Sequence, residues 1–171
     1  MINISKATAI QGWMTEPELV WLAVQANKHK VIVEIGCFLG RSTRAMADNS
    51  AATIYAVDDF YGPHEADISS DERDMLYKFF IENMQGLKNV IPVVCDHRHI
   101  TLDVKPDMVF IDGDHSYNYA KQDIEFWKSR LSIGGLLCGH DINLHEVYQA
   151  VSETLEFKIA PNTMIWYSIP R

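Results

Sequence analysis

The sequence predicts an α/β fold: a doubly wound, Rossmann-like three-layer sandwich with a mostly parallel sheet. Short runs of β-branched and apolar residues alternate along the chain with longer stretches of helical spacing. The first such run, Val31–Ile35, is nearly all apolar, as expected of a strand covered on both faces. It leads directly into Gly36 and Gly40 and then a helical pattern, the order of a strand–turn–helix unit.

Residues 15–29 read as a helix. Thr15 suits the N-cap and Pro17 the first turn, and Leu19, Trp21, Leu22, Val24 and Ala26 supply an apolar stripe. A short helix at 41–48 and a second strand at 53–57 follow the first strand. The stretch 58–70 contains Gly62 and Pro63 and shows no period. It is long for a connection in a compact α/β unit, and reads either as a lid over a site or as a plain connector. Ser70 is placed to cap a helix at 71–84, with Asp71, Glu72 and Asp74 near its positive end. Strands are predicted at 90–95 and 107–111. A helix at 116–131 carries Ile124, Trp127 and Leu131 at helical spacing. Gly134 and Gly135 open a fifth strand at 136–138, and a last helix covers 144–155. Pro161-Asn162 is a turn signal between 156–160 and 164–169, which predicts an antiparallel C-terminal hairpin. The 171 residues fit one domain, an N-terminal helix (15–29) ahead of a core (31–171).

Composition narrows the class. Apolar content of 47% and charged content of 22% are ordinary for a soluble globular protein. The net charge is −8 and Lys and Arg do not cluster, which argues against nucleic acid as a partner. Apolar runs fall far short of a membrane span. Cys37, Cys95 and Cys138 make an odd count without a Cys-x-x-Cys pair, as expected of reduced thiols. The N-terminal residues show no charged leader before an apolar core, and a cytoplasmic location is expected. A homo-oligomer is allowed by the sequence but not specified by it.

The strand-to-helix junction carries the first chemical signal. Glycines let the chain turn sharply and let a ligand approach the backbone, and the helix beyond offers unpaired N–H groups. The spacing Gly36-x-x-x-Gly40 puts Phe38 and Arg41 where a dinucleotide fingerprint has glycines. That disfavours a pyrophosphate and leaves room for another nucleoside ligand. Glu34, a carboxylate in an apolar strand, reads as a brace for the loop or as a group that positions a ligand's cation. Asp58 ends the second strand at the spacing of an acid that accepts both ribose hydroxyls.

Two further strand ends are polar. Asp112, Asp114 and His115 follow the fourth strand, and His140 and Asp141 the fifth. If these strands are neighbours, the side chains converge on one point. They then hold a divalent ion or act as a general base. The alternative is that they cap the helices that follow.

The order Glu34-Ile-Gly-x-x-x-Gly-Arg-Ser-Thr43 resembles motif I of class I S-adenosylmethionine-dependent methyltransferases. Gly12-Trp13 with Glu16 and Leu19, Phe110-Ile-Asp-Gly-Asp-His-Ser-Tyr117 and Gly134-Gly-Leu-Leu-Cys-Gly-His-Asp141 are similar to one branch, methyltransferase family 24, which includes macrolide and cephalosporin O-methyltransferases. The resemblance implies S-adenosylmethionine as cofactor, bound by Glu34, Gly36, Cys37, Phe38, Gly40, Ser42, Thr43, Asp58, Asp59 and Asp112. It also implies an adenine contact from Asp96, with His97 beside it. It implies Mg2+ or another divalent cation on Asp112, His140 and Asp141. His140 departs from the acid or amide usual at that place, and imidazole is a poorer Mg2+ ligand. Asp114 or His115 is the implied base, and a hydroxylated small molecule or sugar the implied methyl acceptor. Two other classes compete. An NAD(P)-dependent oxidoreductase would share the strand–glycine–helix unit, and a non-catalytic S-adenosylmethionine-binding module would need Gly36 and Asp58 but not the two acidic strand ends together.

Overall fold

A computed structural model describes residues 1–61, 69–95 and 102–170. Its helices are α1 (Ser5–Ala9), α2 (Glu16–Ala26), α3 (Arg41–Ala47), α4 (Ser70–Asn83), α5 (Tyr117–Arg130) and α6 (His145–Thr154). Its strands are β1 (Val31–Ile35), β2 (Thr53–Asp58), β3 (Val90–Val94), β4 (Met108–Ile111), β5 (Leu136–Gly139), β6 (Lys158–Ile159) and β7 (Trp166–Ser168). One sheet runs in the order β3-β2-β1-β4-β5-β7-β6. The first five strands in that order are parallel, and β7 is antiparallel to both β5 and β6. The doubly wound fold with an antiparallel C-terminal hairpin is the one the sequence predicts.

Alternation along the central strands builds two cores. Ile32, Ile54, Met108, Phe110, Leu136 and Cys138 point to one face, where they meet Leu19, Leu22 and Ala26 of α2 and Ala45 and Met46 of α3. Val33, Ile35, Val57, Val109, Ile111 and Leu137 point to the other, against Ile124 and Trp127 of α5 and Val147, Ala150 and Val151 of α6. The order in which strands join the sheet reverses between β1 and β4, which are parallel neighbours. Ligands of such sheets bind outside the carboxyl ends of the strands at this reversal.

Several boundaries differ from expectation. Helix α2 ends at Ala26, three residues short of the predicted end, because Asn27, Lys28 and His29 form a turn. The cap of α4 is Ser69, not Ser70: the Ser69 N–H and hydroxyl both donate to Glu72 at 2.8 Å. The five-residue α1 is too short to show a period. The hairpin strands are shorter than predicted, and β7 is an inner strand. Trp166 of β7 lies flat against Gly139, where a β-carbon would stand 2.4 Å from its ring. The lid or connector reading of 58–70 falls largely on residues 62–68, which lie outside the described residues.

Because Trp166 seals the β5–β7 contact and is 1% exposed, Trp166→Ala should cost about 3–5 kcal/mol of stability. Denaturant melts should show this as a lower midpoint with an unchanged slope.

Candidate active site

A cleft of about 1010 Å³ opens over the carboxyl ends of β1, β2, β4 and β5. Gly36, Cys37, Phe38, Ser42, Asp58 and Asp59 line one side. Asp112, Asp114, His115, His140 and Asp141 line the other, and Trp13 stands at the rim.

The β1 turn is held from both sides. Gly36 has φ +81°, and a β-carbon there would lie 2.1 Å from the Asp112 carbonyl oxygen, so both conformation and space demand glycine. Gly40 also has positive φ, and its missing side chain makes room for Phe80 of α4 and for Met84 at the end of that helix. Glu34 is fully buried and accepts hydrogen bonds from the hydroxyls of Ser42 and, at 2.6 Å, Thr43. Burial pushes its carboxyl up to about 7, against the lowering effect of the two hydroxyls. This is the geometry of the brace: β1 is pinned to the first turn of α3.

Asp58 accepts the backbone N–H of Phe38 through Oδ2 and of Phe60 through Oδ1, each at 2.7 Å. Phe38 and Phe60 both have positive φ, 46° and 58°. Left-handed conformations are uncommon for aromatic residues, and one carboxylate holds both. Burial raises the Asp58 pKa, and backbone N–H donors, those of Phe38, Phe60 and Cys37, oppose that rise. Each carboxylate oxygen has a second lone pair, and Asp58 lines the cleft, so the two ribose hydroxyls of a nucleoside have acceptors there. Asp59 accepts the Tyr61 N–H at 3.0 Å. Asp96 and His97 lie outside the described residues.

Strands β4 and β5 are adjacent, and their polar ends converge. Ligand atoms of Asp112, His115 and Asp141 all lie within 4.8 Å of one another. His115 Nε2 is 3.0 Å from Asp141 Oδ2 and 3.8 Å from Asp112 Oδ1. His140 is nearly buried beside them, with Nδ1 3.2 Å from Asp141 Oδ2 and 3.7 Å from Asp112 Oδ1. The structure thus brings His140 to the expected carboxylate pair and adds His115 to it. The carboxylates of Asp112 and Asp141, which accept from its ring, push His115 up to about 10. Burial works against a charge on His140, but Asp141, Asp112 and Glu18 outweigh it and raise it to about 9. Asp141 is half-buried, which works against its charge, yet its two imidazole partners hold it well below the carboxylate range. Its backbone has φ 56°. Asp114 Oδ1 accepts the Ser116 N–H at 2.8 Å and so shapes the turn before α5, but the N-caps of α5 and α6 are Ser116 and Leu144 and neither makes a side-chain capping bond.

Two residues of the site carry no signal in their immediate sequence. Arg41 donates to the carbonyls of Ile10 (2.6 Å), Thr8 (3.0 Å) and Met14 (3.0 Å), tying the N-terminal segment to the start of α3. That segment sets Trp13 against Phe38, with ring centroids 5.3 Å apart. Glu18 reaches from α2 to within 3.1 Å of His140 Nε2. Its spacing from Thr15 signals a capping box, and nothing local announces His140 as a partner.

A methyltransferase-domain family model, that of methyltransferase family 24, matches residues 33–142. The chain belongs to this family. It is a class I S-adenosylmethionine-dependent methyltransferase, and the NAD(P)-dependent alternative falls with that assignment. Similar solved structures include an S-adenosylmethionine-dependent O-methyltransferase from Thermotoga maritima, 15% identical with a TM-score of 0.68, covering 96% of this chain and 69% of that one. The tRNA methyltransferase TrmI from Aquifex aeolicus is 12% identical with a TM-score of 0.69, covering 96% and 74%. A methyltransferase from Podospora anserina, PaMTH1, solved with S-adenosylhomocysteine, is 15% identical with a TM-score of 0.64, covering 96% and 84%. At these identities the likeness is one of fold.

Two outcomes follow for the methyltransferase. Gly36→Ala should remove measurable S-adenosylhomocysteine binding in calorimetry and lower the melting temperature, since the β-carbon meets backbone and not a movable side chain. In metal-free protein, His115 and His140 bind protons more tightly folded than unfolded. Their stabilising effect is therefore complete below about pH 6.5 and is lost as pH rises toward about 9 and 10. Thermal melts across this range should show the fall, and His115→Ala should flatten its upper part.

Proposed function

We propose that this methyltransferase transfers a methyl group to a hydroxyl of a small molecule, with help from a divalent cation. One observation carries the reading: in the same cleft as Gly36 and Asp58, the carboxylates of Asp112 and Asp141 stand within 3.8 Å of two imidazoles, His140 on one side and His115 on the other. A hydroxyl is a weak nucleophile until its proton is drawn off, and carboxylates beside an imidazole suit that task.

On the cofactor side, Gly36, Cys37, Phe38 and Gly40 form the backbone cradle. Asp58 accepts from the ribose, with Asp59 beside it, and Asp96 and His97 would meet the base. Glu34, Ser42 and Thr43 keep the cradle in shape. S-adenosylmethionine bound there supplies an electrophilic methyl group on a sulfonium leaving group, so the protein chiefly positions the acceptor. On the acceptor side, the carboxylates of Asp112 and Asp141 and Nδ1 of His140 would hold the cation. Such an ion lowers the pKa of a coordinated hydroxyl.

His115 then receives the hydroxyl proton. It is nearly half exposed to the cleft and points Nε2 at the carboxylates. Without a cation those carboxylates keep it protonated at neutral pH and unable to accept. Asp114 fixes the turn that presents His115 and is the second candidate to take the proton. A net charge of −8 favours small acceptors over nucleic acid. Among the described residues no helix is long and apolar enough to cross a membrane.

Calorimetry with S-adenosylhomocysteine, with and without Mg2+ or Mn2+, tests both halves of the site. The cofactor product should bind in either case, and Asp112→Asn should weaken the cation and leave the cofactor product bound. With a hydroxylated acceptor in hand, Asp114→Asn combined with His115→Ala should lower kcat by about 10²–10⁴-fold. Unchanged turnover would remove both residues from proton transfer.

A further inference from the structure

Helices α2 and α4 begin with the same device. In each, a Ser or Thr N-cap donates its N–H and its hydroxyl to one oxygen of a Glu three residues on. The distances are 2.7 and 2.8 Å for Thr15 to Glu18, and 2.8 Å twice for Ser69 to Glu72. Their surroundings are opposite. Glu72 is exposed, as a capping carboxylate normally is, whereas Glu18 is 1% exposed. Burying a carboxylate is costly, and capping does not require it. Capping also occupies only Oε2. The other oxygen, Oε1, accepts the Met164 N–H at 2.9 Å and lies 3.1 Å from Nε2 of His140. That nitrogen is buried and makes no well-aligned hydrogen bond, and this carboxylate faces it.

Glu18 therefore grips both flanks of Asp141. On one side it meets His140. On the other it holds Met164, whose carbonyl accepts the Ile142 N–H at 3.2 Å. Asp141 lies between them in a left-handed conformation. We propose that Glu18 is a positioning residue for the cation cluster, orienting His140 so that Nδ1 faces Asp112 and Asp141. A histidine that ligates a metal through one nitrogen commonly gives its other N–H to a carboxylate. Glu18 sits where that carboxylate is needed, on the N-terminal helix rather than on either strand of the motif. The inference rests on the divalent-cation reading above and extends it to α2.

The test compares Glu18→Gln with Glu72→Gln, which alters the same capping device away from the site. Mg2+ and Mn2+ affinity by calorimetry should fall about 10–100-fold in Glu18→Gln and stay at the wild-type value in Glu72→Gln. S-adenosylhomocysteine affinity should be unchanged in both, which shows that each is folded. In the wild type, 15N shifts of His140, measured with Mg2+ bound or above pH 10, should place the ring proton on Nε2. Equal cation affinity in wild type and Glu18→Gln overturns the proposal, as does a wild-type His140 that carries its proton on Nδ1. If the wild type binds no cation, the cation reading fails by itself. The His140 signals then decide the role of Glu18, and they do so even where Glu18→Gln does not fold.

Discussion

The backbone of Gly36 passes so close to Asp112 that a β-carbon would stand 2.1 Å from its carbonyl oxygen. The rest of the site depends on this contact. It brings the ends of β1 and β4 together at the point where the strand order reverses, so that the cofactor turn and the acidic strand end face one cleft. A site assembled this way cannot drift apart without unpairing two fully buried strands. The same closeness leaves no freedom in residue choice: any side chain at position 36 meets backbone, which cannot move aside.

Around that contact, polar groups hold unfavourable geometry in place. Left-handed backbone at a non-glycine residue costs about 1–3 kcal/mol. Three such residues, Phe38, Phe60 and Asp141, stand near the ends of the strands that form the cleft. Asp58 restrains the first two through their N–H groups. Asp141 is bracketed by His140 and by the Ile142–Met164 backbone contact. Buried charge is handled similarly. Glu34 shares its carboxylate with two hydroxyls, and the carboxylates of Glu18, Asp112 and Asp141 alternate with the imidazoles of His140 and His115. Such a cluster is stable with both imidazoles protonated. It also suits a cation, which would take over the role of that positive charge.

The N-terminal segment joins this arrangement from outside the sheet. Arg41 holds it by main-chain carbonyls, and Glu18 reaches from it to His140 beside Asp112 and Asp141. Trp13 is thereby fixed against Phe38 at the rim of the cleft.

By itself the sequence determined the features that depend on local pattern. The alternation of strands and helices, the glycine turn after Val31–Ile35, Asp58 at the end of the second strand and the polar ends of the fourth and fifth strands were all legible, because period, turn chemistry and spacing are properties of neighbouring residues. Tertiary structure decided what neighbouring residues do not encode. The carboxylate of Glu34 met Ser42 and Thr43, which showed the brace; His115 joined the Asp112–Asp141 pair; and the cap of α4 fell on Ser69. Glu18 is the clearest case. Its spacing from Thr15 reads as a helix cap identical to Glu72's, and only the packing of α2 against the end of β5 buries one of the two and turns it toward His140. Burial and long-range contact arise from how the elements pack, and a window of sequence holds neither.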